Sequence, residues 1–168
     1  LITLLPILLS NILLLSYQVR QTGRDQRLSA EEMLTDSHDR LCELTGQMNR
    51  VAETLARSTV VHSVLRRGSG DSRILYQVLF RETEELRRYC RVDICLPDGS
   101  LCDSTETTDR GSFLPYWGVL RRAGQSASLA YRIGAEEDAA FRAARAVRSY
   151  DGSILGYIVF TVRNDDLD

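Results

Sequence analysis

Hydrophobic and polar positions follow three different periods along this chain, and each period predicts a different kind of element. The first nineteen residues, LITLLPILLSNILLLSYQV, contain no charged side chain. At about 1.5 Å per residue a helix of that length spans roughly 28 Å, which matches the apolar thickness of a bilayer. The expectation is an uncleaved membrane anchor over residues 1–19, preferred to a removed secretory signal because no small-residue cleavage site lies between Leu15 and Gly23. From Leu28 to Arg67 the period is helical: Leu34, Leu41, Met48 and Leu55 recur every seven residues, with Leu44, Val51 and Leu65 on the adjoining row. This predicts a long membrane-proximal helix within residues 20–67. Ser37 and Ser58 interrupt the second row. The stripe therefore reads as a homodimer contact near the membrane and as packing against the chain's own domain further out.

Gly68-Ser69-Gly70 ends that helix, and Asp71 or Ser72 opens a second one with Ile74, Leu75, Val78, Leu79, Leu86 and Tyr89 on its apolar side. Its many Glu and Arg residues read as a solvated, ion-paired face. After Cys90 the period changes to that of a strand. Val92 to Leu96, the turn Pro97-Asp98-Gly99 and Ser100 to Ser104 predict a hairpin. A polar loop and a short helix over Phe113 to Arg121, entered at Pro115, come next. Ser128 to Ile133 predicts a strand, and Phe141 to Arg163 a second hairpin about Asp151-Gly152. With those two as the turn, Val147 opposes Gly156 and Ala146 opposes Tyr157, so small residues face larger ones. The fold class is α+β: a transmembrane helix, a long helix, then an antiparallel sheet of about five strands.

Composition narrows the function. About 145 residues lie beyond the anchor, enough for one domain with a single core. Charged residues make up 26% of the chain and the net charge is −2, which suggests neither nucleic-acid binding nor a disordered acidic tail. All 21 basic residues are Arg, and they are dispersed. The cysteines Cys42, Cys90, Cys95 and Cys102 are even in number, as in domains exposed to an oxidising compartment. If Asp98-Gly99 is a two-residue turn, Leu96 faces Leu101 and Cys95 faces Cys102, within reach of a disulfide; the alternative is a pair of small buried hydrophobes. Neither the Cys spacing nor His38 and His62 gives a paired metal-ligand motif. No nucleophile elbow, phosphate-binding loop or metalloprotease helix is present, so this segment is not expected to be an enzyme, and no cofactor is implied.

In order and spacing, the anchor, the long helix, VDICLPDGSLCDST, FLPYWGVLRRAG and ARAVRSYDGSILGYIVFTV resemble a Cache domain, the PAS-like extracytoplasmic sensor of bacterial membrane receptors. The resemblance covers nearly the whole chain. It implies a sensor core over residues 68–163, a connector beginning at residues 164–168, and a pocket between the sheet and the segment from Phe113 to Arg121. It also implies a small-molecule ligand such as an amino acid, organic acid or related metabolite, and a signal passed along the long helix to a histidine kinase, a chemotaxis signalling domain, a cyclic-dinucleotide enzyme or another output, of which a sensor histidine kinase is the one expected here. A ligand-free dimerisation or partner-docking module of a chemotaxis receptor or cyclic-dinucleotide enzyme is the alternative. Arg20, Arg24 and Arg27 directly after the anchor favour a cytoplasmic position for the rest of the chain; the resemblance favours the outside. The aromatic pair reads Tyr116-Trp117 where the family's amino-acid binders have Trp-Tyr, and no Arg-Pro comes after Tyr131-Arg132. Candidate pocket residues are Tyr116, Trp117, Arg121, Tyr131 and Arg145. The aromatics could stack on a ligand, an Arg could grip a carboxylate, and Asp103 is the acidic neighbour expected to balance a buried Arg145.

Overall fold

The structure, a computed structural model, describes residues 35–68, 72–106, 116–136 and 139–163. The expected anchor over residues 1–19, the chain up to residue 34, most of Phe113 to Tyr116 and the connector at 164–168 lie outside them. No helix among the described residues is long and apolar enough to cross a membrane. Two units divide the chain, Leu1–Glu43 and Leu44–Asp168. In the first, residues 35–43 are helical, with Arg40 paired to Asp36 at 2.9 Å and Leu41 exposed.

In the second unit, helix α1 covers residues 44–57, α2 Thr59–Arg67 and α3 Ser72–Glu82. Strands β1 (Arg91–Cys95) and β2 (Leu101–Ser104) come next, then helix α4 (Trp117–Gln125) and strands β3 (Ala130–Glu136), β4 (Ala139–Arg148) and β5 (Ile154–Arg163). All pairings are antiparallel and the sheet order is β2-β1-β5-β4-β3.

The helical stripe does not run unbroken to Arg67. Ser58 adopts extended backbone, φ −67° and ψ 124°, and separates α1 from α2. The carbonyl of Ala56, left without a helical partner by this break, accepts a hydrogen bond from His62 Nε2 at 2.7 Å. Past the break, α2 ends at Gly68 in the left-handed region (φ 66°), whose N–H bonds the Val64 carbonyl. Helix α3 is shorter than its apolar pattern suggests. It stops at Glu82, where the buried Thr83 hydroxyl donates to the Leu79 carbonyl at 2.7 Å, and residues 83–89 continue as turns. Leu86 is buried there as expected, but Ile74 and Tyr89 are exposed.

One face of the sheet carries Val92, Ile94, Ile158, Phe160 and Val162 against Met48, Leu55, Val61, Leu75 and Leu79 of the three helices. The other carries Cys95, Tyr157, Val159, Ala144 and Ala146 against Val119, Leu120 and Ala123 of α4. Small alanines on β4 let α4 lie close to the sheet. The central pair β1 and β5 is covered on both sides, which explains why LGYIVFTV reads as a nearly continuous apolar run.

Both hairpins close through the same five-residue device. Leu96-Pro97-Asp98-Gly99-Ser100 and Ser149-Tyr150-Asp151-Gly152-Ser153 each have a left-handed Gly, φ 87° and 85°. In each, the Asp Oδ1 accepts hydrogen bonds from the N–H and the hydroxyl of the Ser two residues on. Bonds from Leu96 N to Ser100 O and from Ser149 N to Ser153 O make the loops three residues long, not two. A bulge then falls on the third residue after each Gly, at Cys102 and at Leu155, and restores the expected register: Ile94 pairs Asp103, and Val147 pairs Gly156. The same shift corrects the cysteine expectation. Cys95 pairs Leu101, and Cys102, the bulged residue, packs on the helix-side core while Cys95 packs on the α4 side. All four cysteines are thiols.

Gly156 has no room for a side chain against the backbone: a Cβ there would stand 2.4 Å from the Cys95 carbonyl oxygen and 2.8 Å from a Leu65 methyl. Gly156→Ala is expected to cost about 1–3 kcal/mol in urea unfolding, through overpacking. At Gly152, where a Cβ meets nothing within 4 Å, Gly→Ala carries only the left-handed backbone penalty of about 1–2 kcal/mol and Gly152→Asn recovers most of it. Equal losses for Ala and Asn at 152, or a neutral Gly156→Ala, would contradict this account.

Candidate functional site

Alternation along β1 sends Val92 and Ile94 to the helix face and leaves Arg91, Asp93 and Cys95 on the face covered by α4. Asp93 is fully buried there, and two groups bond its carboxylate oxygens. Arg91 Nε donates to Oδ1 at 2.8 Å, and the Tyr116 hydroxyl donates to Oδ2 at 2.5 Å. Tyr116 is the residue on which α4 begins, and its carbonyl accepts the N–H groups of Val119 and Leu120. A short charge-assisted hydrogen bond therefore anchors the start of α4 to the middle of the sheet.

Strand register then builds a row of guanidinium groups beside this anchor. Arg91 pairs Thr161, Thr161 pairs Arg142, and Arg142 pairs Arg132, so β1, β5, β4 and β3 contribute successive positions on one face. Neighbouring strands lie about 4.8 Å apart, so the row extends roughly 14 Å. Arg142 is buried, and its guanidinium carbon lies 5.0 Å from the centre of the Tyr116 ring. The Arg132 guanidinium occupies the space a side chain would take at Gly118, in the first turn of α4; a Cβ there would meet Arg132 Nη1 at 1.6 Å. Arg91 Nη2 is buried without a hydrogen-bond partner among the described residues.

The local field is legible in the proton affinities. Burial, and next the Asp93 carboxylate, push the Tyr116 hydroxyl well above its ordinary 10.0. Burial works against charge on Arg91, but Asp93 outweighs it and holds that guanidinium's pKa above its ordinary value. Burial also drives the Cys95 thiol upward from 9.0, so it behaves as a small apolar side chain.

Of the expected site residues, Tyr116 stands in this cluster. Trp117 is the first residue of α4; its side chain lies outside the described ones. Arg121 is exposed on α4. Tyr131 pairs Ala143 and Arg145 pairs Ile158, which puts both on the opposite, helix-side face. The expected Asp103–Arg145 pairing is not made. Asp103, Ile94, Ile158 and Arg145 form one cross-sheet row, so two strands and about 14 Å separate them, and Asp103 Oδ1 accepts the Ser104 N–H instead. Arg91, Asp93, Arg132, Arg142 and Thr161 are the residues that sequence reasoning missed. A signal for part of them existed: extending the Val147–Gly156 register five residues places Arg142 opposite Thr161. Among the described residues no group of three or more His, Cys, Asp and Glu side chains could hold a metal ion.

Comparison with solved structures finds this fold in sensor domains. The DcuS sensor domain of E. coli superposes with a TM-score of 0.52 at 16% identity, over 74% of this chain and 93% of that one. A domain of a sensory box/GGDEF family protein of Vibrio parahaemolyticus gives 0.51 at 13% identity, over 77% of this chain and 57% of that one. At these identities the likeness is one of fold, and the shared α+β fold is consistent with the Cache-like resemblance of the sequence. No protein-family model matches the sequence, and no curated protein does.

Removing the Tyr116 hydroxyl takes from Asp93 one of its two partners, so Tyr116→Phe is expected to cost about 1.5–3 kcal/mol in urea unfolding at neutral pH. Because the folded chain holds the Tyr116 proton above pH 10.0, where a solvated phenol releases it, this contribution is complete below pH 10.0 and declines as pH rises beyond. Cys95 has the same sign from pH 9.0 upward. Unfolding measured against pH should show a shallower alkaline decline in Tyr116→Phe and in Cys95→Ala; two curves parallel to the wild type would refute the assignment.

Proposed function

We propose that this chain is the extracytoplasmic sensing domain of a bacterial membrane receptor, and that it binds a small organic anion between the sheet and α4. The observation that carries the reading is the row Arg91, Thr161, Arg142 and Arg132 beneath the first turn of α4. It sets three guanidinium groups around a hydroxyl on the face where the fold joins its sheet to a short helix. A carboxylate presents two oxygens at the spacing of a guanidinium fork, and partial burial strengthens that contact. Arg91 Nη2, already shielded from water, is the group with most to gain.

Nothing in this arrangement requires bond making, so the segment binds its ligand and does not convert it. The anchor expected over residues 1–19 holds the domain at the membrane, and the output lies in another part of the receptor, with a histidine kinase the first candidate. Strand β5 supplies the coupling. Val159 and Thr161 face the site, whereas Ile158 and Phe160 pack on the helix-side core. A ligand that draws β1, β4 and α4 together must move β5, and the two-sided packing passes that movement to α1 and α2. Differential affinity for the two packings is the whole energy available for signalling.

Thermal denaturation of the full chain against mono-, di- and tricarboxylates, amino acids, amines and sugars tests the reading. An anion that binds only the folded state raises the melting temperature, by an amount that grows with concentration. The shift should vanish in Arg142→Ala and persist in Arg121→Ala, whose side chain is exposed on α4. A shift with neutral sugars alone, or one untouched by Arg142→Ala, would overturn the anion site. No shift across the panel with a folded dimer would favour the partner-docking alternative.

A further inference from the structure

The helix of the first unit carries a side-chain pair that neither residue signals when taken alone. His38 and Cys42 are four residues apart and both exposed, and the His38 Nε2 lies 3.6 Å from the Cys42 sulfur. Positions i and i+4 of a helix stack on one face, so the helix itself sets this separation. Zinc binds thiolate sulfur at about 2.3 Å and imidazole nitrogen at about 2.0–2.1 Å, and at the tetrahedral angle two such ligands stand about 3.6 Å apart. The pair is thus already at the spacing of one edge of a tetrahedral metal site. That contact is a hydrogen bond in the metal-free chain; on chelation the imidazole turns its Nε2 toward the ion, and the thiol proton leaves to solvent as the metal–sulfur bond forms. The neighbouring Asp36–Arg40 pair is satisfied within itself and does not compete for the metal.

We propose that His38 and Cys42 form a two-ligand chelate for one zinc-class divalent ion. Imidazole nitrogen with thiolate sulfur selects borderline and soft cations over magnesium or calcium. No third protein ligand joins them among the described residues, so water fills the remaining positions and the ion exchanges readily. Binding links two successive turns of the helix and stabilises that stretch. This site is independent of the anion row, and neither depends on the other.

Cobalt(II) is the probe, because tetrahedral cobalt bound to thiolate gives a charge-transfer absorption that aqueous cobalt lacks. Titrated into the reduced full chain, it should produce this band, saturate at one ion per chain, and be displaced by zinc. His38→Ala should weaken binding by more than about 100-fold, beyond what the loss of an outer-shell partner costs, and Cys42→Ser should abolish the band. Zinc should also slow alkylation of Cys42 in the wild type and fail to do so in His38→Ala, a readout separate from the absorption. No band, a band retained in Cys42→Ser, undiminished affinity in His38→Ala, or saturation at one ion per two chains would each overturn the one-chain chelate.

Discussion

Strand β5 is hydrogen-bonded along both edges and packed on both faces, and most of the second unit is arranged by that constraint. Its alternate residues enter two separate cores: Ile158, Phe160 and Val162 meet α1, α2 and α3, while Tyr157 and Val159 meet α4. A one-residue slip would exchange these sets and bury Thr161 among the helices. Gly156 enforces the register from the other side, since the Cys95 backbone and the Leu65 side chain leave no room for a Cβ. The two bulges serve the same end. Each hairpin turn is one residue longer than the register allows, and the bulge at Cys102 or Leu155 takes up the difference before the strands reach the core.

A fully buried carboxylate is costly unless its oxygens are bonded, and Asp93 meets that cost through Arg91 and Tyr116. Replacing such a group by an apolar one often stabilises a protein, so its presence needs a reason beyond stability. Its position supplies one. It holds the start of α4 against the sheet and offsets part of the positive charge of the arginine row. The same logic separates Arg142 from Arg145. Both are arginines in one alternating strand, but Arg142 faces the Tyr116 ring and Arg145 faces the helix side.

Local chemistry was legible wherever it acts over a few residues. The two Asp-Gly-Ser turns, the Gly68 stop, the start of α3 and the pairing of Val147 with Gly156 came from short-range rules, as did the five-strand antiparallel sheet. The turn length did not, because two- and three-residue loops share the Asp-Gly signal and differ in whether the Gly closes the turn or lies beyond it. For the same reason the cysteine alignment failed by one residue. The break at Ser58 left only a faint mark, since a single Ser in an apolar row is common in unbroken helices. His38 and Cys42 were legible in principle as an i, i+4 pair, but a two-residue spacing is a weaker signal than the longer motifs by which metal sites are recognised.

By itself, then, the sequence determined the element types, the α+β class and the in–out alternation of each strand, because these depend on side-chain periodicity and turn chemistry along the chain. Which arginines share a face was decided only by the tertiary structure. Arg91 and Arg132 are distant in sequence and become members of one row through the order β1-β5-β4-β3, and that order is set by which strands bury two faces and which can bear an exposed edge. Asp103 and Arg145, both plausible along the chain, are kept apart by that same order: a cross-strand pair needs adjacent strands, and two strands lie between them.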